Sequence, residues 1–413
     1  MLLAITGSSR VVRSSENPFD RNPTCHYGRA MEIRDLSPDD LDPALDVRSR
    51  SFGPISGGDV EQWKAMVQRS IDGKRVLAAY VDGAVVATAR INSFGQWWAG
   101  RRVPMAGIGG VVVAPEHRGS GVGSALMQGI LERSRELGFP LSALYPATTA
   151  PYRAVGYEVA GARHVVEIST DTLRRLSGPD VPLRRGGPDD AAEIARLIGA
   201  TAAHARDCGP FDWEPVEIAH DLEDDEILTY VADDGVLSYS FGRERFDVQT
   251  IAATSESTLR ALWRIVGSGS SVLSTVRVAL APHDPVWWMI PDNVITTRAT
   301  QWWMLRLVDA PAAIAARGFP PGLEIEVPLT LNDPLDAAGS GAYTLIVSDG
   351  AGRLERTELG DGVALGPRGA AAVYAGTPLA TLRRSGLAEG GDPETDARID
   401  AAFAATPFMV DYF

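Results

Sequence analysis

The sequence predicts a mixed α/β chain of three units, and three observations lead there. At 413 residues it exceeds one ordinary domain, so two or three are expected. Residues 181–191 (Val-Pro-Leu-Arg-Arg-Gly-Gly-Pro-Asp-Asp-Ala) repeat the hydrophobic, arginine and Pro-Asp-Asp positions of residues 31–41. Each copy is followed by helix, loop and strand signals, so two units of related fold are expected. Beyond about residue 310 the texture changes to short strands between Gly/Ala-rich turns, then two helices, an α+β unit.

Residues 1–30 are rich in Ser, Asn, Arg and Pro without periodicity and read as an unstructured extension. Met31 opens a short strand, after which Ser37 is a helix N-cap with Pro38 at the first helical position. Residues 76–89 read as a hairpin turning at Asp82-Gly83. In the second copy a helix is expected over residues 191–203 and a hairpin turn at Asp233-Asp234-Gly235. Strands at 325–329 and 343–347 and helices at 378–386 and 396–405 build the last unit. The expected boundaries are 31–175, 176–310 and 311–413.

With 39 basic against 53 acidic residues the formal charge is −14, which opposes nucleic-acid binding and suits cationic substrates. Only Cys25 and Cys208 are present, so neither a disulfide framework nor a zinc knuckle is available, and no metal is expected. No apolar run approaches the ~20 residues that span a bilayer. The opening Met-Leu-Leu-Ala-Ile is too short for a signal-peptide core, so a cytoplasmic protein without a membrane span is expected. Lysine is confined to Lys64 and Lys74, which reads as codon bias and not as chemistry.

The stretch that carries chemistry is Gly109-Gly-Val-Val-Val-Ala-Pro-Glu-His-Arg-Gly-Ser-Gly-Val-Gly-Ser. A buried strand over Val111, Val112 and Val113 ends at Ala114-Pro115, and Arg118-x-x-Gly121-x-Gly123 leads into a helix carrying Leu126, Ile130 and Leu131. Glycines permit close backbone approach, free N–H groups point at an anion, and the helix dipole favours negative charge. A dinucleotide site would need G-x-G-x-x-G with an acid some 20 residues on, and a P-loop would need a lysine that is missing here. The longer pattern of strand, Pro, Arg-x-x-Gly-x-Gly and helix resembles the GNAT signature that binds coenzyme A pyrophosphate. Residues 141–145 should form the next strand and splay from the first to open a cleft.

The segment after that strand, Ala143-Leu-Tyr-Pro-Ala-Thr-Thr-Ala-Pro-Tyr-Arg-Ala-Val-Gly-Tyr157, is similar to the enhanced intracellular survival (Eis) family of N-acetyltransferases. The likeness extends over residues 31–413, including Pro282-His-Asp-Pro285, Val347-Ser-Asp-Gly350 and a final Phe. It implies two tandem GNAT-like domains, only the first binding acetyl-CoA, followed by a sterol-carrier-protein-like α+β domain. It implies a homo-oligomer, a hexamer, acting on aminoglycoside-like polyamines or lysine side chains. By the same resemblance Val111, Val112, Val113, Arg118, Gly119, Ser120, Gly121, Val122, Gly123, Ser124, Ala147 and Thr148 contact the cofactor. Tyr152 would be the proton donor and the C-terminal carboxylate of Phe413 the acceptor. On residues alone Tyr152 shares that role equally with Tyr145 and Tyr157. Gly119 stands where members often carry a second arginine, and Tyr412 and Phe52-Gly-Pro-Ile depart from more acidic pockets.

Trp63 fits either an amine pocket or a core, and the Trp97-Trp98, Trp287-Trp288 and Trp302-Trp303 pairs fit packing or subunit contacts. The second copy has Gly267-Ser-Gly-Ser after its helix and no Arg-x-x-Gly-x-Gly, so one cofactor per chain is expected. Two readings follow. In one, an amine attacks the thioester directly within a ternary complex, without a covalent enzyme intermediate. In the other, the last unit makes the chain a lipid- or sterol-binding carrier, for which a phosphate cradle has no use.

Overall fold

The computed structural model describes residues 31–291, 295–358, 360 and 362–413; the expected N-terminal extension, with Cys25, lies outside them. The fold begins at β1 (Met31–Asp35), followed by a single turn whose first N–H is capped, the Ser37 hydroxyl accepting from Asp39. Then come α1 (Leu41–Phe52), α2 (Gly57–Asp72), β2 (Val76–Val81), β3 (Ala84–Trp98), β4 (Arg101–Val113), α3 (Val122–Glu136), β5 (Leu141–Leu144), α4 (Ala150–Ala154), β6 (Glu158–Ser169) and α5 (Thr170–Arg174). The β2–β3 hairpin turns at Asp82 and Gly83 with φ of 51° and 81°, the left-handed pair that matches strand twist.

The second copy supplies β7 (Arg184–Arg185), α6 (Ala191–Ala205), β8 (Cys208–Asp212), α7 (Pro215–Asp221), β9 (Ile227–Ala232), β10 (Gly235–Phe241), β11 (Phe246–Ala253), α8 (Glu256–Ser268), β12 (Thr275–Leu280), α9 (Val286–Met289) and β13 (Thr296–Leu307). The described strands of both copies form one thirteen-stranded sheet, ordered β1-β2-β3-β4-β5-β13-β6-β12-β11-β10-β9-β7, with β8 on β3. The internal echo is now architectural. A parallel strand pair with an intervening helix occurs twice, as β4-α3-β5 and as β11-α8-β12.

The sheet runs across the boundary expected near residue 175. β13 lies between β5 and β6, pairing Met304 with Leu144 on one side and Trp303 with Gly161 on the other. β6 pairs in turn with β12. The edge that β5 exposes is thus covered by a strand from the far end of the second copy, and each half of the sheet is completed by the other.

The last unit contains α10 (Ala310–Ala316), β14 (Ile325–Leu331), β15 (Gly341–Ser348), β16 (Ala351–Arg356), β17 (Val363–Leu365), α11 (Pro367–Tyr374), α12 (Leu379–Arg384), β18 (Ala388–Glu389) and α13 (Pro393–Phe403), with sheet order β16-β15-β14-β17-β18. Its apolar residues Val327, Leu345, Tyr374 and Phe403 share one continuous core with Trp98, Met105, Leu141 and Trp303 of the large sheet. The final segment is tied down. Phe408 donates its N–H to Cys208 O, Met409 donates to Ala162 O, and Arg163 donates to Val410 O. No helix among the described residues is long and apolar enough to cross a membrane.

Candidate active site

The cleft begins with a defect in β4. Thr88 pairs with Val112 and Arg90 with Gly109, so Ala89 faces both Gly110 and Val111, a β-bulge in which Gly110 takes φ 61°. β5 runs parallel to β4 only across Met105, Ala106 and Gly107, then stops at Leu144 while β4 continues to Val113. The β4 edge carrying Val111, Val112 and Val113 therefore borders a wedge-shaped opening, as expected for the splayed pair. Val112 is buried under α1 and α2, while Val111 and Val113 are half-buried.

At the mouth of that wedge stands the N-terminus of α3. Gly121 occupies its cap position with φ 90°, Gly119 has φ 76°, and a Cβ on either would meet nothing within 4 Å. No side chain caps the helix and its first turn holds no acid. The first intrahelical bond comes from Ala125 N–H to Gly121 O, so the N–H groups of Val122, Gly123 and Ser124 have no partner in the helix. Arg118 is exposed, committing only its Nε to Val113 O at 3.3 Å. Ser120 donates to His117 O. Ala147 and Thr148 are exposed on the loop between β5 and α4. Open space, free N–H donors and one free guanidinium fork match a pyrophosphate in size and sign.

The structure separates the three tyrosines. The Tyr157 ring is fully buried, and its hydroxyl is 2.6 Å from Ser142 Oγ. Tyr145 donates to Asp411 O at 2.7 Å. Tyr152, on α4, is half-buried with its ring edge-on to Tyr157, and its hydroxyl has no partner among the described residues. Burial first, then nearby Tyr412, push its pKa above the ordinary value. The Phe413 ring closes the wedge from the other side, lying 5.1 Å from both Phe94 and Phe211. A Cβ at Gly107 would lie 2.5 Å from the Phe94 ring and 3.0 Å from that of Phe413, so glycine lets both rings approach β4. The Tyr412 ring lies tilted against that of Tyr145, with centroids 4.4 Å apart. Trp63 stands half-buried against the core of α1, α2, β2 and β4.

One positioning group was invisible in sequence. Glu158, at the start of β6, accepts from Arg153 of α4 at 2.7 Å, from the Val159 N–H and from Arg368 of α11 at 2.7 Å. It ties the helix bearing Tyr152 to the last unit. Arg368 lies 210 residues away, and no local pattern announces the pairing. Burial alone would raise the Glu158 pKa, but these donors outweigh it and hold it below the usual value. Its stabilisation is present above the unfolded glutamate pKa of about 4.3 and fades as pH falls through the lower folded value. Glu158→Gln is expected to lower the melting temperature at pH 7.5 and to match the wild type progressively below about pH 4. An equal deficit at both pH values would remove the charge from the explanation.

The counterpart of the cofactor loop in the second copy is Thr254-Ser255, between β11 and α8, and not Gly267, which lies in the last turn of α8. Ser255 caps α8, Glu256 occupies its first turn, and the Asp234 carboxylate accepts from Thr254 and Thr258. That helix start is already satisfied and carries acid, so it repels phosphate. Calorimetry is expected to give one acetyl-CoA per chain; two would overturn this reading.

A splayed parallel pair above a bare glycine-capped helix start is the construction of an acyl-CoA-dependent transferase. Residues 32–160 match an acetyltransferase (GNAT) domain, residues 209–307 a second acetyltransferase (GNAT) domain, and residues 310–410 a sterol carrier protein domain. The crystal structure of a GCN5-related N-acetyltransferase from Kribbella flavida is 47% identical, with a TM-score of 0.90 over 93% of this chain and 99% of that one. N-acetyltransferase Eis of Mycobacterium tuberculosis is 25% identical over 73% of this chain and 79% of its own. Eis1 from Mycobacterium abscessus shares the fold, with a TM-score of 0.74 over 92% of this chain and all of that one, at 21% identity. The chain belongs to the GCN5-related N-acetyltransferases, in their Eis-like family of two GNAT domains and a sterol-carrier domain. It is an N-acetyltransferase, and acetyl-CoA is the co-substrate of that superfamily.

Proposed function

We propose that this chain moves an acetyl group from acetyl-CoA to an aminoglycoside-like polyamine or a lysine side chain by direct attack in a ternary complex. Arg118, Gly119, Ser120, Gly121, Val122, Gly123 and Ser124 hold the pyrophosphate. Val111, Val112 and Val113 align the pantetheine arm, with Ala147 and Thr148 across the opening. The amine nitrogen bonds to the acetyl carbon, the carbon–sulfur bond breaks, and the amine releases one proton. Tyr152 donates a hydrogen bond to the departing sulfur. The α-carboxylate of Phe413 orients the ammonium and takes up its proton. The observation that carries this reading is that Tyr152, of the three candidate tyrosines, keeps an unpartnered hydroxyl beside the cleft. The domain roles at 31–175, 176–310 and 311–413 follow the same reading. So do a cytoplasmic location and a hexamer, in which exposed Trp302 meets a neighbour.

The carrier reading is disfavoured because the last unit buries its apolar residues against Trp98 and Trp303 in a shared core. An amine panel with free-thiol detection tests the two readings. Thiol release with aminoglycosides or lysine peptides is expected. No release with any amine, beside melting shifts with sterols or fatty acids, would favour the carrier. Adding a few residues after Phe413 should lower turnover by about 10²-fold, the scale of a lost acid–base group, while acetyl-CoA binding survives. Full activity in the extended chain would exclude the carboxylate.

A further inference from the structure

The second copy retains a splayed strand pair although its phosphate cradle is closed. β11 and β12 pair only from Phe246 with Val276 to Val248 with Val278. Beyond that point each keeps only its other neighbour, β10 for β11 and β6 for β12, and the two part. The space between them opens into a cavity of about 1070 Å³ that also touches the last unit and the C-terminal segment. A site for one drug-sized molecule measures roughly 300–1,000 Å³. Trp97, Ile198, Ile251, Leu259, Met289 and Phe408 form apolar walls. His283 and the exposed indole of Trp288 also line it, their rings 6.5 Å apart.

Of the four carboxylates that line the cavity, Asp207 and Asp284 have neither an ion pair nor a side-chain donor among the described residues. Asp207 ends the turn after α6, its backbone fixed by Ala99 N–H to Asp207 O and by its own N–H to Ala202 O. Asp284 follows β12 and accepts the Val286 N–H at 2.9 Å. Burial raises both pKa values, to about 7 for Asp207 and about 6 for Asp284, and Asp207 also feels the Asp284 charge. Neither makes an ion pair with any cation among the described residues. Of the arginines that line this cavity, Arg260 pairs with Glu256, while Arg206 and Arg317 donate to the carbonyls of Phe319 and Tyr374 and not to Asp207 or Asp284. Asp411 at the far wall is met by the Trp213 indole N–H. Both are half-buried, and two neighbouring carboxylates without an ion pair favour a cation placed between them.

We propose that this second cleft binds an organic ammonium ion with an apolar, aromatic body, its charge between Asp207 and Asp284 and its rings against the tryptophans. Acetyl-CoA is excluded because Asp234 and Glu256 occupy the helix start that would take its phosphates. A bare metal ion is disfavoured by the apolar walls and because, among the described residues, no three His, Cys, Asp or Glu side chains gather to hold one. Trp97 and Trp288 add ring faces that attract a cation. The cavity opens on the β11–β12 pair and not on the β4–β5 wedge, meeting it through the terminal segment at Asp411, and its occupancy does not depend on any acetyl transfer.

The test uses the full chain without acetyl-CoA, titrated with dansylcadaverine, a primary amine on a fluorescent aromatic body, and in parallel with dansylamide, which lacks the amine. Saturable binding of the amine is expected, at least tenfold tighter than that of dansylamide. The double variant Asp207→Asn/Asp284→Asn should weaken amine binding at least tenfold and leave turnover of a small acceptor amine unchanged. It should also melt at a temperature equal to or above that of the wild type, because two neighbouring half-buried carboxylates have gone. Unchanged amine affinity in the double variant would overturn the proposal, as would dansylamide binding as tightly as the amine. If acetyl transfer failed with every amine while this binding pattern held, the second site would stand and the catalytic reading would fall.

Discussion

Tyr152→Phe is expected to lower kcat by about 10²-fold while acetyl-CoA affinity stays intact. The magnitude is that of a general acid or one hydrogen-bond donor to developing charge. Affinity should persist because the cradle at Arg118, Gly121 and the α3 start does not touch Tyr152 through any described hydrogen bond. The physical chemistry also selects between the two roles. A free tyrosine near pKa 10 facing a thiol near 8.5 makes full proton transfer uphill by about 2 kcal/mol. Burial pushes Tyr152 further up and makes it a poorer acid still. Hydrogen bonding to the sulfur as negative charge builds is therefore the stronger contribution. Tyr145→Phe should act differently, loosening the terminal segment by removing the bond to Asp411 O. Steady-state kinetics with thiol detection decide it: an unchanged kcat in Tyr152→Phe would strip Tyr152 of its role.

Arg306→Met should destabilise the fold by about 3–5 kcal/mol, the cost of breaking a buried ion pair. Arg306 lies in β13 at 3% exposure. It donates to Val155 O at 3.1 Å, to Leu307 O at 2.9 Å and to the Asp333 carboxylate of the last unit. One side chain thus fastens α4, β13 and the last unit together. Methionine fills similar volume but strands Asp333 in a site 14% exposed. The double variant Arg306→Met/Asp333→Leu should regain much of the loss, since both charges are gone. Denaturant melts of the four proteins measure the coupling, and a double variant no better than the single one would refute the ion-pair account.

Local chemistry was legible in the sequence. The Ser37 cap, the Asp82-Gly83 turn and the glycine loop before α3 each depend on residues a few positions apart, and each formed as read. β4 proved much longer than its Val111–Val113 end, because Pro104 interrupts the strand signal. Proline is tolerated there since pairing with β5 begins one residue later, at Met105. In the second copy Gly267-Ser-Gly-Ser imitates a phosphate loop but lies at the C-terminal end of α8, while the true counterpart before that helix is only two residues long. The placement of β13, the Glu158 network and the fate of the three tyrosine hydroxyls all depend on partners over a hundred residues away or on burial. Those are products of the assembled sheet, and no local pattern encodes them.

The insertion of β13 between β5 and β6 has a consequence for the order of events on the ribosome. When the chain has been made as far as the catalytic loop and Tyr152, the neighbour of β5 is still more than a hundred residues from being translated. The nascent first half must wait with an open, apolar edge until Leu307 has left the exit tunnel. That edge is the part a trigger-factor-like chaperone would shield, and a pause in translation between the two halves would prolong its exposure. A gene cut at the apparent domain border would release a polypeptide that keeps the glycine loop and Tyr152 but lacks both the strand that closes its sheet and the terminal Phe413.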